Sequence, residues 1–382
     1  MAFVVFKRFG KQEYAYEMES YRDTETKKPK HRQKYLGVVV DKEKGIYEKR
    51  RQKAEKQEQI ILDYGDSYLF NAIIEKLPIV GVLKSVFGKL FDTLMTLVFH
   101  RIIGGQAMRY AENWYDGNYV SRLFPNANVS SQNISEFLSY LGQESVQRAF
   151  FVQYIPLVCN NKTGIVIDST GLPNEINMSV TDWGHHNGGI EFETRLILAI
   201  ERETELPLYF RYVAGNIGDV STLANTITEM KKLGISTSSA LVDAGYFSES
   251  NLKMLFVAEI SFLIRMPANR IVYRNIITEN VDIESPKYAI KYNKRGLFVK
   301  EIELDIYGYK AFAYLVLDPE RRGAEIAKII SKMEDDGSDV DKTDFSNCGK
   351  MVLLSSDKLD TTNVVPLYYT RQIAERMFGI AK

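Results

Sequence analysis

Two short apolar runs that each close on an aspartate, KTGIVID (residues 162–168) and SSALVD (residues 238–243), constrain the fold of this chain more than any other feature. Between them, RLILAIE (residues 195–201) and LPLYFRYV (residues 206–213) flank a polar turn and read as a β-hairpin. The loop GNIGD (residues 215–219) then leads into a helical pattern, VSTLANTITEMKKLG, with Asp219 as a candidate N-cap. After the second run, Gly245 permits a tight turn, Ser248 can cap a helix reaching about Ala258, and SFLIRM (residues 261–266) makes another strand. The order strand, hairpin, helix, strand, helix, strand predicts a mixed sheet flanked by helices, with βαβ connections at its parallel edge. In such sheets, side chains just past the carboxyl ends of neighbouring strands face the ligand crevice, which is where Asp168 and Asp243 are expected.

The ends of the chain add to this frame. Residues 1–50 carry EYAYEMESYRD, a TKKPK turn and QKYLGVVV, which predicts a small N-terminal β-hairpin unit. Residues 51–160 read as helical and as a possible DNA-binding region, with a candidate capping arrangement at Asn133-Ile-Ser-Glu136. The greasiest stretch, residues 77–103, is interrupted by Lys84, Lys89 and Asp92, so it predicts amphipathic helix and not a membrane span. At the C-terminus, YYTRQIAERMFGIAK places Tyr368, Arg371, Glu375 and Lys382 on one arc of a single helix, with Ile373, Met377, Ile380 and Ala381 opposite. A solvated face with an Arg371–Glu375 pair is the bland account of that stripe.

At 382 residues the length suits two or three domains, and 45% apolar content suits packed cores. Cys159 and Cys348 form neither a disulfide framework nor a metal spacing, as in a reducing cytosol. The net charge is zero, yet residues 1–60 hold 16 Lys and Arg against 10 Asp and Glu. That surplus is densest in residues 26–34 and 48–56, either of which can neutralise phosphates or simply be a solvated face. His185 and His186 beside Asn187-Gly188-Gly189 have no spaced partner for zinc. No phosphate-binding G-x-x-x-x-G-K-[ST] loop and no G-x-S-x-G nucleophile turn occurs.

A carboxylate on a phosphate-facing stripe repels DNA unless a cation lies between them. Two divalent ions about 4 Å apart can activate the attacking oxygen and stabilise the leaving one in phosphoryl transfer. Three carboxylates, Asp168, Asp243 and Glu375, converging from two strands and one helix would hold such ions, while Tyr368, Arg371 and Lys382 grip phosphate oxygens.

The pattern Y-x2-R-x3-E-x6-K at Tyr368, Arg371, Glu375 and Lys382 resembles the signature of bacterial insertion-sequence DDE transposases of the YREK class. VIDST around Asp168, the loop VAGNIGDVSTL, LVDAGYFSESNL around Asp243 and the N-terminal ESYRDTETKKPKHRQKYLG extend the resemblance over essentially the whole chain. It implies a multidomain α/β fold with an RNase H-like catalytic domain from residues 161–266 plus 363–382, interrupted by a β-rich insertion at 267–362. It also implies cut-and-paste DNA strand cleavage and strand transfer, with Mg2+ or Mn2+, two ions, as cofactor. Asp168, Asp243 and Glu375 would be the catalytic, metal-binding triad, and Tyr368, Arg371 and Lys382 the nucleic-acid-binding residues. Double-stranded DNA, as transposon ends and target, would be the partner. Self-association on DNA would accompany it, with no membrane and no nucleotide cofactor, and the location would be the bacterial cytoplasm, at the nucleoid when DNA-bound. Some relatives stack an insertion Trp on a flipped base; this insertion has no Trp. Relatives also continue past the signature lysine, whereas this sequence stops on Lys382. The expectation is a truncated or frameshifted copy, so a catalytically inactive DNA-binding remnant is the alternative to an active transposase.

Overall fold

The computed structural model describes residues 2–24, 27–49, 60–159, 162–186, 189–336 and 345–381. The chain forms two compact units, Met1–Leu62 and Asp63–Lys382. In the first, β1 (Ala2–Phe9), β2 (Gln12–Arg22), β3 (Pro29–Asp41) and β4 (Ile46–Glu48) make an antiparallel sheet in sequence order. The expected hairpin is β2 and β3, with Tyr16 opposite Tyr35, and it gains a strand on each side. Lys34 lies across from Glu17 and Arg32 from Glu19, so part of the first basic run faces carboxylates of its own sheet. Thr26 and residues 50–56 of the second basic run lie outside the described residues.

The second unit begins with a helical stretch. It comprises α1 (Gly65–Ile74), α2 (Ile79–Phe87), α3 (Phe91–Phe99), α4 (Ala111–Gly117), α5 (Val120–Leu123), α6 (Ser131–Leu141) and α7 (Glu144–Val158). The amphipathic run breaks between α2 and α3 at Gly88, whose φ of 49° lies in the left-handed region that glycine enters without a Cβ clash. Among the described residues no helix is long and apolar enough to cross a membrane. The capping arrangement expected at Asn133 is displaced. Helix α6 already starts at Ser131, and Asn133 sits inside it, donating back to Asn128 and Ser130, while Glu136 accepts from Gln132.

The rest of the unit runs β5 (Lys162–Pro173), β6 (Asp182–His186), β7 (Gly189–Glu201), β8 (Pro207–Ala214), α8 (Leu223–Lys232), β9 (Ser236–Val242), α9 (Glu249–Val257) and β10 (Ser261–Met266). It continues with α10 (Ile271–Glu279), β11 (Ala289–Tyr292), β12 (Arg295–Ile306), β13 (Tyr309–Leu317), α11 (Pro319–Asp336), β14 (Lys350–Ser355), α12 (Thr361–Tyr369) and α13 (Gln372–Ala381). One sheet has the order β11-β12-β13-β14-β10-β9-β5-β7-β6, with β8 also on β7. Strands β5, β9 and β10 are parallel and the remaining pairs antiparallel, which is the mixed α/β arrangement the sequence pattern predicted and the RNase H-like kind the resemblance implied. Residues 267–362 are rich in strands, but these strands continue the same sheet through β14 and β10 and form no separate one. Strands β12 and β13 meet at Tyr307-Gly308, both with positive φ, the geometry a two-residue hairpin turn requires.

Alternation along the strands separates two cores. Ile165 and Ile167 of β5 and Ala240 and Val242 of β9 pack beneath α7, α8, α9 and α10, while Val166 and Leu241 point to the other face, under α12 and α13. By the same period-2 rule Asp168 and Asp243, each one residue past its run, fall on the α12/α13 face. Helix α7 shares the first core through Phe151 and Ile155, so the helical region is not independent of the sheet. Ile167, fully buried directly before Asp168, anchors that strand. Ile167→Ala should cost about 2–5 kcal/mol by transfer and cavity terms, read as a drop in unfolding free energy in urea titration.

Candidate active site

Strand β5 does not end at Asp168, as its apolar run suggested. It continues to Pro173 because β7 stays paired with it antiparallel, Asp168 lying opposite Leu198. What ends there is the parallel pairing with β9, whose last partners are Ile167 and Val242. Asp243 follows Val242 and opens a short 3-10 turn, Ala244–Tyr246. Both aspartates thus leave the parallel part of the sheet side by side and on one face.

The C-terminal helix expected as one piece is two. Helix α12 ends at Tyr369 and α13 begins at Gln372. Across the junction the amides of Thr370, Arg371, Ile373 and Ala374 bond three residues back, and the Thr370 hydroxyl donates to the Leu367 carbonyl at 2.7 Å. The tightened turn changes which residues face inward. Ile373, Ala374 and Phe378 are buried, whereas Ile380, placed on the buried arc by a continuous helix, is 77% exposed. Tyr368 is likewise buried, not part of an outward stripe. Lys382 lies outside the described residues.

This geometry gathers the candidate residues around one guanidinium. Arg371 Nη1 donates to Asp168 Oδ2 at 2.6 Å and lies 3.9 Å from Asp243 Oδ2, and Arg371 Nη2 donates to Glu375 Oε1 at 3.0 Å. The Tyr368 hydroxyl donates to Asp243 Oδ1 at 2.9 Å. Tyr368 and Arg371, expected to hold phosphate, donate instead to the carboxylates. The carboxylates differ in setting, with side-chain exposures of 11% for Asp168, 36% for Asp243 and 57% for Glu375.

Burial pushes the Asp168 carboxyl up, and the neighbouring Asp243 and Asp219 charges add to this. The Arg371 guanidinium and the Ser169 amide, donating at 2.9 Å, pull it down, and the balance is a pKa of about 6. Burial works against the charge of Arg371, yet Asp168 and Asp243 hold its pKa above the ordinary value. Burial, then the Asp243 charge, pushes the Tyr368 phenol far up, so it remains a proton donor to Asp243.

Mg2+ and Mn2+ favour hard oxygen ligands, and three carboxylates are the right donors. The Arg371 guanidinium supplies the positive charge among them, and among the described residues no group of three His, Cys, Asp or Glu is spaced to hold a metal ion. An open groove of about 740 Å³ borders the cluster, with Glu375, Thr370, Tyr369 and Tyr292 in its wall. The larger cavity, about 1100 Å³ between α7, α8 and β8, does not include any of the three carboxylates.

Residues 160–382 match the family described as the Transposase DDE domain. The chain belongs to that DDE transposase family. The match reaches the family and not the YREK class within it. No curated protein matches the sequence. Similarity to a solved structure is found with the piggyBac transposase synaptic complex with hairpin DNA, at 10% identity and a TM-score of 0.45, over 76% of this chain and 58% of that one. The chain thus spans a little over half the length of that transposase.

Several polar residues around the carboxylate cluster were not singled out by the sequence pattern. Ser169, Arg195 and Asp219 form a bonded set behind Asp168, and Asp219 is not the N-cap it resembled: its carboxylate accepts from Ser169 Oγ at 2.5 Å and Arg195 Nη1 at 3.1 Å. An arginine opening the apolar run RLILAIE was the available signal. By contrast Ser248 does cap α9, accepting from the Asn251 amide.

Because the folded-state pKa of Asp168 lies above its ordinary 3.8, ionisation costs the folded state. Its stability contribution is complete below about pH 4 and is lost as pH rises through about 6. In the metal-free protein a carboxyl 13C NMR titration of Asp168 should show a midpoint near 6, and Arg371→Gln, which removes the opposing charge, should move it upward.

Proposed function

We propose that this chain is a DNA transposase of the cut-and-paste type and the YREK class, with Asp168, Asp243 and Glu375 as its catalytic, metal-binding residues. The observation that carries the reading is the single guanidinium of Arg371 in contact with all three, although Asp168 and Arg371 lie 203 residues apart in sequence. Mg2+ or Mn2+, as a pair of ions, would supply Lewis-acid stabilisation of the attacking and leaving oxygens of a DNA phosphate.

The chain's own groups have distinct tasks in this reading. Asp168, buried and oriented by the Ser169 amide, is the fixed ligand. Tyr368 holds Oδ1 of Asp243 and leaves Oδ2 turned toward the cluster. Glu375, the most exposed, is the ligand with room to move. With cations on those carboxylates, Arg371 would be free to pair with phosphate oxygens, a bidentate task that suits a guanidinium. Lys382 belongs to the same phosphate-binding set. Double-stranded DNA, first the element's ends and then the target, is the substrate, and two copies of the chain meet on it.

The test uses the purified full chain with supercoiled plasmid carrying the flanking ends of its element, in Mn2+. Asp168→Asn, Asp243→Asn and Glu375→Gln should each slow nicking by more than about 100-fold, since even residues behind a metal's ligands cost up to that much. Nicking at the wild-type rate in any one variant removes that residue from the centre. Salt-sensitive DNA binding by the wild-type chain without any nicking supports the inactive remnant instead.

A further inference from the structure

The two strand-borne carboxylates of the proposed centre are linked on the side away from α13 by a third aspartate. Asp219 lies in the turn Asp219–Ser221 between β8 and α8. Its Oδ1 accepts from the hydroxyl of Ser169, the residue after Asp168. Its other oxygen rests against the turn that follows Asp243: a Cβ added to Gly245 would stand 2.7 Å from Asp219 Oδ2. That bare Cα admits the close approach.

Two further ties make the arrangement a rigid spacer. Asn251, 4% exposed on α9, donates one amide to the Val220 carbonyl at 2.8 Å and to the Tyr246 carbonyl at 2.9 Å, clamping the Asp219 turn to the Asp243 turn. On the opposite side Arg195 spans Asp219 and the fully buried Glu193, at 3.1 and 3.2 Å. Strand β7 therefore holds the charge of Asp219 in place while its Oδ1 takes the hydroxyl of Ser169, next to Asp168, and its Oδ2 abuts Gly245, two residues past Asp243. A helix cap would require none of these contacts.

We propose that Asp219 is a positioning residue that sets the separation of Asp168 and Asp243 and so their competence to share a divalent cation; this rests on the reading of those carboxylates as metal ligands. Groups behind a metal's ligands typically change affinity by about 10–100-fold when removed. Asp219→Asn keeps an oxygen that accepts from Ser169 and loses only the charge facing Arg195, whereas Asp219→Ala loses both.

The full chain and its Asp219→Ala, Asp219→Asn and Gly245→Ala variants are to be compared in two ways. Mn2+ titration is followed by electron paramagnetic resonance, and amide hydrogen exchange is measured over residues 168–170 and 244–247 in EDTA. Asp219→Ala should weaken Mn2+ binding by about tenfold or more and speed exchange in both segments, Gly245→Ala should do the same by displacing the carboxylate, and Asp219→Asn should recover most of the affinity. Affinity within about twofold of wild type in Asp219→Ala overturns the proposal. Wild-type protein that takes up no Mn2+ sinks the metal reading instead, and the exchange data then decide on Asp219 alone: faster exchange in both segments sustains the positioning role and unchanged exchange overturns it. Should Asp219→Ala fail to fold, Ser169→Ala cuts the same tie from the other end and is read by the same criteria.

Discussion

One guanidinium holds together what the sheet and the last two helices bring near. Carboxylates from β5, the turn after β9 and α13 repel one another, and in a partly buried crevice that repulsion is weakly screened. Arg371 offsets it by touching all three, at 17% side-chain exposure. Burial, more than the neighbouring carboxylates, pushes Asp168 up to about 6, and the Arg371 charge works against that rise. In the proposed function a divalent ion would duplicate the charge that Arg371 supplies and would compete with it for the same oxygens.

The rest of the unit fixes where those oxygens sit. Parallel pairing of β5 with β9 ends at Ile167 and Val242, so both aspartates emerge at one level. Side-chain alternation turns them toward α12 and α13, while the residues just before them are locked in the core under α7 to α10. The tightened junction between α12 and α13 lets Tyr368 reach Asp243 from one helix and Glu375 reach Arg371 from the next. Behind this face, Ser169, Asp219 and Arg195 add a polar layer, a place where fully bonded groups rigidify and half-bonded ones would be costly.

Much of this was legible in the order of residues. The strands that carry the apolar runs before Asp168 and Asp243, the β7–β8 hairpin, the Ser248 cap and the β-like stretch that became β12 and β13 are all local patterns, and each appears in the structure, although β5 runs on past Asp168. Local pattern also misled where the deciding partner was remote. Asp219 looked like a helix cap because its neighbours in sequence suggest one, but its carboxylate is claimed by Ser169, 50 residues away. The C-terminal stripe assumed an unbroken helix, and the junction at Thr370 removed Tyr368 from it.

By itself the sequence determined most of the period-2 and period-3.6 segments, their order, and the apolar runs that lead into Asp168 and Asp243, because these follow from local sterics and the burial of alternate side chains. Only the tertiary structure decided that Tyr368 meets Asp243 across 125 residues and that Arg371 meets Asp168 across 203. Hydrogen bonds between charged groups over such separations depend on the packing of whole layers. No short-range pattern along the chain encodes them.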